Sequence, residues 1–131
     1  MLAYSTAKAA LIHATRWAAN ELGPYSIRVN SVSPGGIVTG SFAKGAGATE
    51  SDAAKTKDPL AEFFATIQPI PRAGIPDDVA NAALFLASDL SGFITGHDIV
   101  IDGGMGMGND WPTYVGLRVE IRRLVEPLRK S

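Results

Sequence analysis

The sequence predicts an α/β fold with parallel strands, and three observations carry that prediction. An alanine-rich helical pattern over residues 4–22 stops at Gly23-Pro24 and gives way almost at once to a β-branched run, Ile27 to Ser33. A second helix-to-strand succession leads from Pro76-Asp77-Asp78 to Asp98-Ile99-Val100-Ile101-Asp102. Both strands run into glycine, at Pro34-Gly35-Gly36 and at Gly103-Gly104. Helix, short turn and strand make half of a β-α-β unit, the arrangement that sets strands parallel.

Within the first helix, Leu11, Ala14, Thr15, Ala18 and Leu22 recur at helical spacing. Its alanines favour helix and allow close approach by a neighbour. Tyr4 and Lys8 lie one turn apart on one face. A phenol is a poor base at neutral pH, and a fixed ammonium beside it favours the charged form. Tyr4 can then exchange a proton with a substrate hydroxyl while Lys8 holds a polar ligand. The same two residues also suit an exposed tyrosine beside a solvated lysine, so the pair needs support from the rest of the chain. His13 and Trp17 share one side of the helix and read as packing or interface surface.

The loop Pro34-Gly35-Gly36-Ile37-Val38-Thr39-Gly40 follows the first strand. In open parallel sheets ligands bind at that edge. Glycine lets the backbone approach a flat ring or a phosphate, and Thr39 offers a hydroxyl. Residues 41–70 differ in texture: a Gly/Ala-rich start, a polar stretch, then Leu60, Phe63, Phe64 and Ile67 in a short amphipathic helix. With Phe42 they form an aromatic face next to the ligand edge, as in a lid over substrate or in an ordinary surface excursion. The helix opened by Pro76 has acids at its positive end and is apolar almost all round, which predicts burial. Gly104, Gly106 and Gly108 lack the register of a nucleotide loop and read as a turn. Beyond Trp111 the pattern is ambiguous, with helix expected in the second half.

The 131 residues give room for one domain, at 46% hydrophobic and 19% charged. A net charge of -1 gives no electrostatic invitation to nucleic acid or an anionic membrane. There is no cysteine, and the two histidines stand apart from any carboxylate cluster, so no metal site is expected. Neither a membrane span nor a signal peptide is readable, which makes the cytoplasm the expected compartment. Residues 1–110 carry a net -4 and residues 111–131 a net +3, marking the latter as a basic C-terminal extension.

Taken together, the order Tyr4-Ser5-Thr6-Ala7-Lys8, Ile27-Arg28-Val29-Asn30-Ser31-Val32-Ser33-Pro34-Gly35, Pro71-Arg72, Leu84-Phe85-Leu86-Ala87-Ser88-Asp89, Ile94-Thr95-Gly96 and Asp102-Gly103-Gly104 closely resembles the short-chain dehydrogenase/reductase family. The resemblance covers residues 3–104. It implies a doubly wound, Rossmann-like parallel sheet and hydride transfer between NAD or NADP and a small alcohol or carbonyl compound. It implies that Tyr4 is the acid/base and that Lys8 holds the nicotinamide ribose. It also implies that the backbone at Pro34, Gly35, Gly36 and Ile37 meets the carboxamide, with Thr39 on a carboxamide or phosphate oxygen. Residues 41–70 match the variable substrate lid, with Phe42, Phe63, Phe64 and Ile67 as its apolar face.

The family's Gly-rich first turn, the residue that selects between NAD and NADP, and the catalytic serine have no counterpart in these residues. The expectation is therefore residues 1–110 as the C-terminal half of such a domain, lacking its N-terminal nucleotide-binding half. Parallel strands need neighbours on both sides, so these residues alone are expected to bind cofactor poorly and to turn over nothing. The alternative is a catalytically inactive assembly protein. In the family the helix equivalent to 4–22 commonly makes subunit contacts, which implies a homo-oligomer or pairing with a full-length relative.

Overall fold

The computed structural model describes residues 2–39, 57–107, 116, 119–123 and 126. Two compact units divide the chain: Met1–Pro34 with Asp77–Ile101, and Gly35–Pro76 with Asp102–Ser131.

In the first unit, helix α1 spans Leu2–Leu22 and begins two residues ahead of Tyr4. Gly23-Pro24 ends it in a 3-10 turn, Gly23–Tyr25, closed by the Ser26 N–H on the Gly23 carbonyl at 2.9 Å. Ala19 is its one buried residue. A Cβ added to Gly96, which has φ +72°, would lie 3.4 Å from the Ala19 methyl, the close approach expected of an alanine-rich face.

Strands β1 (Ser31–Pro34) and β2 (Asp98–Ile101) pair in parallel, with Ser31 opposite Asp98 and Pro34 opposite Ile101. On one face Ser31 and Ser33 donate hydroxyl hydrogen bonds of 2.7 and 2.8 Å to the Asp98 carboxylate. This cross-strand clamp fixes the register. Strand β1 is shorter than the run 27–33 and starts at its fifth residue. Ahead of Ser31, side chains supply much of the pairing, beside one backbone bond from the Gly96 N–H to the Val29 carbonyl at 2.7 Å. Thr95 Oγ1 accepts from Val29 N–H at 3.0 Å, and Asn30 Nδ2 donates to the Ile94 carbonyl at 2.9 Å. Arg28 joins them, with Nη1 on Ser91 Oγ at 2.9 Å and Nη2 on the Ser88 carbonyl at 3.1 Å. Ser91 is fully buried, and its hydroxyl accepts from the guanidinium while donating to the Leu86 carbonyl at 2.9 Å, so the buried group is satisfied.

Helix α3 spans Pro76–Ala87. Its apolar sequence predicts burial, yet none of its residues is buried, and Leu84 is 69% exposed. Two short strands offer little surface to cover an all-round apolar helix, and burial requires a partner as well as an apolar side chain.

In the second unit, helix α2 spans Lys57–Ile67 and buries Leu60 and Phe64 completely. The turn after β2 uses Gly103 and Gly104 at φ +64° and +87°, which only glycine adopts without strain. Residues 119–123 are helical, as the pattern in the second half of the extension predicts, with Arg123 on Glu120 at 2.8 Å.

Candidate active site

Helix α1 sets Tyr4 and Lys8 on one exposed face. The Lys8 Nζ lies 5.6 Å from the centroid of the Tyr4 ring, within cation-π range. Tyr4 is 62% exposed. On the same helix Trp17 Nε1 donates to His13 Nε2 at 2.9 Å, which ties the two rings into one surface feature.

From Gly35 onward the loop after β1 belongs to the second unit, where backbone bonds hold it. The Ile37 N–H turns back onto the Gly35 carbonyl at 2.9 Å. Gly74 pairs with the loop in parallel, its N–H donating to the Gly36 carbonyl at 3.0 Å and its carbonyl accepting from Val38 N–H at 2.8 Å. Gly36 is buried, and a Cβ there would stand 2.6 Å from Phe64 Cδ1. The loop backbone is pinned by Gly74, and its two glycines let Asp102 and Phe64 pack directly against it.

Of the lid residues, Phe42 lies outside the described residues, as do 40–56. Phe63 and Ile67 are half-buried, while Phe64 is fully buried under Gly36, with the two phenylalanine rings 5.8 Å apart. Phe64 is thus a packing residue behind the loop. Periodicity finds it as part of an apolar stripe without saying which stripe member is covered. Gly74 escapes sequence reasoning; its available signal is a glycine isolated between Pro71 and Pro76. Among the described residues no group of three or more His, Asp or Glu could hold a metal, and no helix is long and apolar enough to cross a membrane.

A family model described as enoyl-(acyl carrier protein) reductase matches residues 1–106. The short-chain dehydrogenase reductase ATA1 of Arabidopsis thaliana is 44% identical over 107 residues, which cover 78% of this chain and 39% of that protein. The 3-oxoacyl-[acyl-carrier-protein] reductase FabG of Chlamydia pneumoniae is 39% identical over 102 residues, covering 78% of this chain and 37% of that one. A solved structure, 4-hydroxyisoleucine dehydrogenase complexed with NADH, is 37% identical with a TM-score of 0.65, over 82% of this chain and 41% of that one. The chain therefore spans about two fifths of the length of the relatives it matches.

Proposed function

The chain belongs to the short-chain dehydrogenase/reductase family, and from that membership we propose that it supplies the proton-transfer pair and the nicotinamide-facing loop of an NAD(P)-dependent oxidoreductase. Its substrate in this reading is a small alcohol or carbonyl compound. The observation that carries the reading is the Lys8 ammonium over the open face of Tyr4, in residues that align with the family over 1–106.

When bound, NAD or NADP supplies or takes up the hydride. Tyr4 Oη gives its proton to the carbonyl oxygen during reduction and receives it from the hydroxyl during oxidation. Lys8 holds the ribose hydroxyls and keeps positive charge beside the phenol. The backbone from Pro34 to Ile37 and the Thr39 hydroxyl would hold the carboxamide of the bound nicotinamide. Burial of Phe64 favours a supporting part for it, leaving Phe42, Phe63 and Ile67 as the apolar face toward substrate. The NADH named for the solved relative supports the cofactor class.

Turnover belongs in this reading to a complete domain, because three fifths of each relative have no counterpart in these residues. The test is a graft in which residues 1–106 replace the matching segment of a 3-oxoacyl-[acyl-carrier-protein] reductase of this family. It is assayed by nicotinamide absorbance against alcohols, ketones and 3-hydroxyacyl thioesters. Tyr4→Phe should lower kcat by roughly a hundred-fold or more, and Lys8→Met should raise the cofactor KM. A graft that keeps its rate with Phe at position 4 would sink the reading.

Exposed apolar side chains favour a second reading, an assembly protein that pairs with a full-length relative: Trp17 is 58% exposed and Leu84 69%. Intact mass of the native protein, with its co-purifying chains, separates the two. A 13.7 kDa species bound to a full-length relative favours assembly, and a larger single chain favours the enzyme.

A further inference from the structure

We propose that Asp102 is a positioning residue for the loop Gly35–Thr39, acting through the turn that its carboxylate holds. The inference rests on the cofactor-facing reading of that loop. Asp102 Oδ1 accepts from the Gly104 N–H at 2.8 Å and Oδ2 from the Gly106 N–H at 2.7 Å. Both carboxylate oxygens are thus spent on one tight turn, and hydrogen bonds to a charged acceptor are the strong kind. The turn meets the loop directly. A Cβ on Gly35 would run into the Asp102 Cβ, stand 2.8 Å from its Cα and lie 3.3 Å from Met105 Cε. Gly35 therefore rests on the Asp102 backbone with no space between them.

The same turn holds the segment that backs the loop. The Gly103 carbonyl accepts from Ile70 N–H at 3.1 Å, and Gly104 sits where a Cβ would stand 2.8 Å from Pro69 Cγ. Four residues beyond Ile70, Gly74 pairs with Gly36 and Val38. One carboxylate thereby fixes the loop from two sides, by contact at Gly35 and by the chain running from Ile70 to Gly74. A loop that must present backbone groups to a ligand within about 0.5 Å needs such support.

The test is hydrogen exchange of the 131-residue chain followed by mass spectrometry. Asp102→Asn keeps the shape, but its side-chain oxygen can accept from only one N–H and its NH₂ faces the other. Exchange at Val38, Ile70 and Gly74 should quicken by about ten-fold, with the amides of α1 unchanged. Gly35→Ala, which acts from the other side of the contact, should give the same local pattern. Unchanged exchange at those three amides, or quickening that extends equally to α1, overturns the proposal. In a second arm NAD⁺ is added to the grafted reductase that carries residues 1–106, because these residues alone are expected to bind it poorly. It should slow exchange in the wild-type loop, and Asp102→Asn should lose that protection at equal NAD⁺. A wild-type loop that ignores NAD⁺ would overturn the cofactor reading alone, and the first arm would still decide the positioning role.

Discussion

Helices α2 and α3 reverse the order of burial that their sequences suggest. Helix α2 carries one apolar stripe and hides two of its members completely, Leu60 and Phe64. Helix α3 is apolar almost all round and hides none, with Leu84 at 69% exposure. The difference lies in what each can touch. For α2 the partner is in its own unit: Gly36 has no side chain, and the Phe64 ring occupies the space. Hydrophobic stabilisation scales with area removed from water, so an apolar helix without a partner gains little from its composition. Helix α1 sides with α3, since Leu11 and Trp17 remain more than half exposed and Ala19 alone is buried. The pair proposed to transfer the proton thus sits on an open helix, and the loop proposed to hold cofactor sits on a packed one.

Phe64→Ala tests the strong side of this comparison and carries the largest expected effect. Removing a fully buried ring leaves a cavity behind Gly36 and should cost about 3–5 kcal/mol in urea unfolding. A loss below about 1 kcal/mol would mean that the ring is not the loop's support, since ordinary surface changes cost no more. Gly36→Ala approaches the same contact from the loop. The new methyl would stand 2.6 Å from the ring, and overpacking of that kind costs about 1–3 kcal/mol. Combining it with Phe64→Leu, which vacates ring volume, should recover part of the loss, and a double-mutant cycle measures how much. Strict additivity would show that the two residues do not share the contact.

What the sequence made readable follows the range of each signal. Local signals were sound: Gly23-Pro24 stops α1, Pro76 with two acids opens α3, and Gly103-Gly104 turn the chain after β2. Tyr4 and Lys8 were readable because helical spacing alone brings them together. Less readable were contacts between residues far apart in the chain. Nothing local says that Asn30 and Thr95 will supply pairing ahead of β1, or that Arg28 will reach Ser91. Gly74 backs the loop from 38 residues beyond Gly36 through backbone bonds that carry no residue-type signature. The sequence of α3 overstates its burial for a related reason. Composition reports how apolar a helix is, and only the assembled neighbours decide how much of it is covered.

The smallest expected effect falls on the exposed side of the comparison. Leu84→Ser removes an apolar side chain that is 69% in water. With little area to lose, it should change the unfolding free energy by no more than about 0.5 kcal/mol. Serine is a somewhat poorer helix former than leucine, which accounts for a few tenths of that. The informative outcome is a large one. A cost of about 2 kcal/mol or more, the scale of a buried leucine, would mean that Leu84 is covered in solution. Repeating the measurement across protein concentration would then identify the cover, because stability borrowed from association falls on dilution. A small, concentration-independent change leaves α3 as open as its exposure indicates, and keeps the contrast with α2 one of partners rather than of side chains.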